Sequence, residues 1–186
     1  PWPANAPSLH VFNRSAVYLP ALAAFTSADS DMLSFDTLPG GLQSAHALLF
    51  RHESTEPVMT RRAEPEEERD STRFDAVLND DGSLGLSVTY SAVGNGQANY
   101  RALKDLDEQM LRNRLTQFAA FLHPAAVLED YEVSDLADLT VPPSMTMKVR
   151  IPEYAVKAGD DLMMFTLPAV AYSAHQVGRP TREFDL

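Results

Sequence analysis

The 186-residue chain has no cysteine, and this absence removes several kinds of chemistry at once. Without a thiol it can form no disulfide within itself, no zinc–thiolate centre and no cysteine nucleophile. Basic residues are also few, because 15 Lys and Arg stand against 26 Asp and Glu for a formal net charge of −11. This acidic balance disfavours nucleic acid and anionic membranes as partners, since both attract basic surface. No apolar run is long enough to span a bilayer, so we expect no transmembrane segment.

A starting methionine and a signal peptide are also missing, because the chain begins Pro1-Trp2-Pro3. We therefore expect it to be a piece of a longer protein. What is present is an ordinary apolar content of 45%, which permits a real hydrophobic core.

The clearest pattern in the chain lies between residues 71 and 122. Residues 73–78 and 84–92 read as two strands, and the turn at 79–82 contains Asp-Gly, a strong hairpin signal. Residues 107–122 read as a helix with one apolar stripe, and Asp105 with Glu108 is expected to form a capping box at its start. The sheet face and the helix stripe are expected to pack against each other.

Shorter strands are predicted on both sides of this region. Their expected ranges are 11–19, 25–31, 45–51, 57–62, 126–134 and 145–151. The apolar run 162–167 is expected to be a strand covered on both faces. The fold class that follows is α+β, with a mainly antiparallel β-sheet packed against one main helix.

Four further patterns in the sequence can be read either as binding sites or as ordinary structural features. The charged run 61–70 is interpreted as a solvated linker, with an acidic cation or peptide site as the alternative. Gly94-Asn95-Gly96 lacks the third glycine of a phosphate loop and is expected to be a flexible turn. A calcium loop starting at Asn79 would have Leu84 and Tyr90 at its sixth and twelfth positions, so a hairpin turn is favoured. The spacing of the five histidines indicates no metal site, and we expect neither a metal nor a cofactor.

Several short blocks taken together resemble the C-terminal end of bacterial transglutaminase-like proteins. These are exported, multi-domain chains in which a papain-type Cys-His-Asp core lies between β-rich domains of unknown function. The blocks that carry the resemblance are residues 12–20, 25–29, 38–39, 47–49, 67–69, 80–83 and 131–136.

The resemblance implies a site that lacks its catalytic groups. The family's histidine falls on Arg14 and its aspartate on Ser27, while the nucleophilic cysteine would lie upstream of Pro1. Arginine stays protonated and cannot act as the general base. A shifted alignment instead makes His10 and Asp29 a candidate catalytic pair, and this alternative stays open.

The resemblance also divides the chain. Residues 1–36 are expected to be the last strands of a transglutaminase-like core, 37–70 connecting strands and a charged linker, and 71–186 a C-terminal β-rich domain. The implied role is non-catalytic: packing on the upstream core of the parent protein, or positioning a peptide or protein partner. The implied location is periplasmic or extracellular. Two alternatives are part of an active cysteine-dependent transferase or peptidase, and a periplasmic module that binds peptide or glycan.

Overall fold

The computed structural model describes residues 12–27, 31–159 and 162–166. The strands are β1 (Val17–Leu19), β2 (Ala24–Thr26), β3 (His46–Phe50), β4 (Thr55–Met59), β5 (Arg69–Leu78), β6 (Leu84–Val93), β7 (Val127–Val133), β8 (Ser144–Ile151), β9 (Val156–Lys157) and β10 (Met163–Met164). The helices are α1 (Gln97–Arg101) and α2 (Glu108–Leu122), with single turns of 3-10 helix at Pro20–Leu22, Gly40–Leu42 and Gly94–Gly96. Within the described residues no helix has both the length and the apolar character to cross a membrane.

The main sheet has four strands in the order β5-β6-β8-β7, and its three pairings are all antiparallel. β5 and β6 form a hairpin in continuous register from Arg69 opposite Val93 to Leu78 opposite Leu84. The chain then passes through both helices before it enters β7, and β8 returns to lie between β6 and β7. This is the α+β fold with a mainly antiparallel sheet that the sequence predicts, with the short helix α1 beside the main helix.

The core lies between one face of this sheet and α2. The alternating apolar residues of β6 and β8 supply most of the buried side chains, because a strand directs every second residue to the same face. Leu115 and Ala119 of α2 are fully buried against them. The buried core set is Leu84, Leu86, Val88, Leu115, Ala119, Leu128, Met145, Met147, Val149 and Ile151.

The opposite face of the sheet is polar, with half-buried residues at its centre and exposed ones such as Lys148 and Arg150. Its residues are small at the centre, where Thr89 and Thr146 form a hydrogen bond of 3.0 Å across the strands. Ion pairs lie nearer the edges, such as Lys148 with Asp130 at 2.9 Å. The alternation of apolar and polar residues along β6 and β8 therefore gives a one-sided sheet.

Three local predictions need correction. Asp107, not Asp105, caps α2, because its side chain accepts a hydrogen bond from Met110 N at 2.7 Å. Residues 12–16 are not a strand, and β1 begins only at Val17. Within the run 162–166 only a two-residue strand forms, and its large side chains are about half exposed rather than covered on both faces.

Candidate functional site

The N-terminal hairpins join the main sheet through the carboxylate of Glu68, which lies just before β5. This carboxylate accepts hydrogen bonds from Gln43 Nε2 at 2.7 Å, from the backbone N–H of Asn95 at 2.8 Å and from Asn95 Nδ2 at 2.5 Å. The three donors come from two separate segments of the chain. Glu68 therefore connects residues 38–43 to the start of the helical crossover.

Gln43 and Asn95 extend this network to the backbone. Gln43 donates to Leu38 O at 2.9 Å and accepts from Ala63 N at 2.9 Å. Asn95 accepts from Gly40 N at 2.9 Å and donates to Leu38 O at 3.3 Å. Both amide side chains use their oxygen and nitrogen atoms, so the junction is polar and well satisfied.

The turn Gly94–Gly96 is not the flexible connection that its composition predicts. It is a turn of 3-10 helix that leads directly into α1. Gly94 has φ +70°, a conformation that glycine adopts without steric cost. The anion at this turn is the carboxylate of Glu68, so an internal side chain accepts the backbone N–H that a phosphate would otherwise engage.

The network forms part of the wall of an open groove, here called the junction groove, with a volume of about 900 Å³. Its residues come from β2 and the turn before it, the loop 34–38, residues 59–68, the turn at 93–94 and the loop 139–142. Leu22, Phe35 and Met59 present exposed apolar side chains to it, at 63%, 60% and 58% exposure. The groove is therefore apolar in several places although it is open to solvent.

The charge of the junction groove is predominantly acidic. Asp36, Glu66, Glu67 and Glu68 line it together with one cation, Arg61. Arg61 is already engaged, because Nη1 and Nη2 donate to the Glu67 carboxylate at 2.6 and 3.1 Å. These hydrogen bonds hold the pKa of Glu67 below its ordinary value. Asp36 and Glu66 are exposed, and they give the rim negative charge at neutral pH.

Behind the groove, α1 is fixed by a buried arginine. Arg101 is fully buried, and its guanidinium donates to the carbonyls of Leu136, Asp138 and Val141 at 2.8, 2.7 and 2.8 Å. It also donates to Gln97 Oε1 at 3.0 Å. Burial lowers its pKa, but an arginine remains a cation at any physiological pH. The loop after β7, which forms one side of the groove, is thereby held against α1.

The transglutaminase resemblance puts the family's histidine and aspartate at Arg14 and Ser27, which both lie within the described residues. Arg14 packs against the backbone of Gly41, because a first side-chain carbon at Gly41 would lie 3.1 Å from Arg14 Nη1. Arg14 lines a second groove of about 1010 Å³ between the first two hairpins. Ser27 follows β2, next to Thr26. His10 and Asp29 lie outside the described residues, so their pairing stays a prediction.

The histidines within the described part have other surroundings. His46 lies in β3 opposite Met59. His52 is on the surface, with Nδ1 3.8 Å from Glu53. His123 follows α2, accepts a hydrogen bond from Ala125 N and meets the ring of Tyr154 edge-on at 5.7 Å. The described residues contain no group of three His, Asp or Glu side chains arranged to hold a metal ion.

The carboxylates of Asp81 and Asp138 form hydrogen bonds within their own turns. Asp81 accepts from both the N–H and the hydroxyl of Ser83, at 2.8 and 2.6 Å, and its other oxygen accepts from Arg150 at 3.0 Å. Asp138 likewise accepts from Thr140 at 2.8 Å. These hydrogen bonds lower the pKa of both carboxyl groups.

Comparison with known proteins adds no relative to this picture. No family model matches the chain, and it matches neither a curated protein nor a solved structure. The resemblance to transglutaminase-like proteins therefore stays a prediction based on the short blocks of sequence.

Glu68, Gln43 and Asn95 were not predicted as a site. Glu68 is 25 residues from Gln43 and 27 from Asn95, so no local pattern brings these three residues together. A weak signal was the position of Glu68 at the end of a charged run and directly before a strand. Such a residue is more often solvated, and only the folded arrangement shows that its carboxylate is half-buried.

Proposed function

We propose that the chain is the non-catalytic C-terminal region of an exported transglutaminase-like protein. On this proposal it positions an extended peptide segment of a partner or substrate in the junction groove. The observation that carries the binding role is the combination of exposed apolar walls with a predominantly acidic rim in one groove. The resemblance supplies the family and the exported location.

The chemistry of the lining residues supports binding rather than catalysis. The chain has no cysteine, and the resemblance puts Arg14 at the position of the family's histidine. The Glu68 carboxylate already accepts three hydrogen bonds, so it is a structural group of the groove wall. Arg61 is held by Glu67 and does not reverse the sign of the rim.

The ligand that fits this lining is a peptide with both apolar and basic side chains. Leu22, Phe35 and Met59 offer apolar contact area, which supplies affinity when it is removed from water. Asp36 and Glu66 would attract Lys or Arg side chains at the rim, which adds on-rate and selectivity more than affinity. An acidic peptide is disfavoured, since the whole chain carries a net charge of −11.

The test is fluorescence anisotropy with two labelled peptides, one of mixed leucine and lysine and one in which glutamate replaces lysine. The first is expected to bind and the second is not. The double variant Phe35→Ala, Glu66→Lys is expected to weaken binding of the lysine peptide by about tenfold. A matched control, Phe121→Ala with Glu129→Lys, changes an 88%-exposed aromatic residue and an exposed acid outside the groove, and should leave binding unchanged.

Equal binding of both peptides, or equal loss in the two double variants, would contradict the assignment of the groove. The catalytic alternative has its own test in a longer protein that contains an upstream cysteine. If such a protein is an active transferase or peptidase and His10→Ala abolishes its activity, the non-catalytic assignment is wrong.

A further inference from the structure

Among the described residues, β5 is a long edge strand of the main sheet. It pairs with β6 over all ten of its residues, and in the described chain no strand pairs with its other side. Its register is continuous, with no bulge, and no proline interrupts it. A strand edge of this length presents unpaired backbone N–H and C=O groups that favour pairing with another strand.

The backbone groups that face outward can be assigned from two hydrogen bonds. Ala92 N donates to Pro143 O, so the even-numbered residues of β6 turn their backbone groups toward β8 and the odd-numbered ones toward β5. At the hairpin end, Asn79 N donates to Ser83 O at 2.8 Å, so the odd-numbered residues of the two strands face each other there as well. The residues of β5 with outward-facing N–H and C=O groups are therefore Asp70, Thr72, Phe74, Ala76 and Leu78.

We propose that this edge pairs with β5 of a second copy of the chain, antiparallel and about a two-fold axis at Phe74. In that register the outward backbone groups of Phe74 bond to those of Phe74 in the second copy, and Thr72 bonds to Ala76. The two four-stranded sheets then form one continuous eight-stranded sheet. Such a two-fold contact is self-complementary, because every contact that one copy makes with the other is repeated by symmetry.

Charge complementarity selects this register. Arg73 and Asp75 project from the polar face of the sheet and form an ion pair within the strand, at 2.8 and 3.0 Å. A two-fold axis at Phe74 places Arg73 of each copy opposite Asp75 of the other, in the pair type whose side chains approach most closely. An axis at residue 73 would oppose two arginines, and an axis at residue 75 would oppose two aspartates. The four charges therefore alternate in sign only in the proposed register.

The other sheet edge does not offer the same contact. The register of β7 against β8 shifts between Leu128 and Asp130, and a bulge of this kind bends a strand away from further pairing. The strand also carries Glu129, Asp130 and Glu132 with no basic residue of its own. Self-pairing of β7 would place acids near acids, so β5 is the edge suited to a second copy.

The apolar residues of β5 support the same pairing. Phe74 and Leu78 lie on the helix side of the sheet and are only partly buried against the core. Val77, on the polar side, is 65% exposed. An added strand would cover part of these side chains, and cross-strand aromatic contact between the two Phe74 rings would add to the backbone hydrogen bonds.

The test is sedimentation equilibrium of the intact chain over its soluble concentration range. The native chain is expected to dimerise. Asp75→Arg opposes arginines in both halves of the contact and is expected to raise the dimer dissociation constant by at least about tenfold. The double exchange Arg73→Asp, Asp75→Arg rebuilds the alternation and is expected to restore dimerisation. Asp130→Lys makes the same change in net charge on β7 and should leave the dimer intact.

A backbone variant tests the edge without changing charge. Ala76 is exposed and its N–H faces away from β6, so Ala76→Pro removes an outward donor and keeps the hairpin ladder. It is expected to give a folded monomer, with circular dichroism as the check on folding. A native chain that is monomeric throughout would overturn the proposal. So would a dimer that survives both Ala76→Pro and Asp75→Arg, or a charge exchange that does not restore pairing.

Discussion

Arg101 Nη2 donates to Gln97 Oε1 at 3.0 Å, so two buried polar residues one turn apart on α1 engage each other. Gln97 continues the chain of contacts by donating to Ser34 Oγ at 3.2 Å. The guanidinium thus links the loop after β7 to the segment before β3. A cation in this position is stabilised by hydrogen bonds to carbonyl oxygens rather than by a direct carboxylate partner.

Replacing Arg101 by methionine is expected to lower the free energy of unfolding by about 3 kcal/mol, because the buried carbonyl of Leu136 and the part-buried carbonyls of Asp138 and Val141 lose their donor. Urea denaturation followed by circular dichroism measures this change. Arg112→Met removes an exposed arginine from α2 and is expected to change stability by less than about 0.5 kcal/mol. Equal effects of the two variants would mean that the buried guanidinium is not what fixes the loop.

Glu68→Ala is expected to loosen the N-terminal hairpins and leave the main sheet folded. Three hydrogen bonds to a charged acceptor are lost, and the local cost is about 2 kcal/mol or more. Hydrogen exchange should accelerate in β3 and β4, while the amides of β6 and β8 keep their protection. Glu66→Ala, two residues away and exposed, serves as the control. Unchanged exchange in β3 and β4 would show that another contact holds the hairpins.

Gly94→Ala and Gly159→Ala form a matched pair, since both glycines have positive φ, at +70° and +96°. A methyl group at Gly94 would clash with the backbone oxygen of Glu67 and the carboxylate of Glu68, whereas none of the described atoms lies within 4 Å of one at Gly159. We expect a loss of about 3 kcal/mol at Gly94 and of about 1 kcal/mol at Gly159. Thermal unfolding compares the two, and equal losses would leave backbone strain as the only cause.

Acid is expected to weaken the hairpin through Asp81. Hydrogen bonds from Ser83, with Arg150, hold the pKa of this carboxyl below its ordinary value of 3.8. The folded-state pKa is therefore the lower one, so the contribution is complete above pH 3.8 and is lost as pH falls through the folded-state pKa. Asp81→Asn should flatten the dependence of unfolding free energy on pH in that range.

The neighbouring Asp80 gives the control for this prediction. It lies in the same turn and makes no hydrogen bond within the described part of the chain. Asp80→Asn removes one charge from the turn and leaves the hydrogen bonds of Asp81 in place. If both variants flatten the curve equally, the effect belongs to the charge of the turn as a whole and not to the hydrogen bonds of Asp81.

Local patterns in the sequence predicted the elements of the main sheet well. Asp81-Gly82 specifies the hairpin because glycine takes positive φ at the turn, and Gly82 has φ +82°. The stripe containing Leu111 and Leu115 specifies α2 and its buried face. These signals act over a few residues, where propensity and periodicity decide the outcome.

Contacts between residues that are distant in the sequence could not be predicted from local patterns. The position of β8 between β6 and β7 depends on which strand edges meet in space, and the five residues of α1 are too few to show a period. The Glu68 network joins segments that no local pattern relates. The run 162–166 was predicted to be a core strand from its apolar composition. That composition does not distinguish a buried strand from the exposed segment that is observed.

The insertion of β8 between β6 and β7 has a consequence for synthesis of the chain. Its residues 144–151 emerge from the ribosome after those of both neighbouring strands. Until then β6 is paired with β5 alone and β7 has no strand beside it, and the apolar surface beneath α2 is open to water. Because β8 is the last strand of the main sheet to be synthesised, a polypeptide that stalls before residue 144 exposes the unpaired edges of β6 and β7. We expect such a polypeptide to be prone to aggregation and to depend on chaperones.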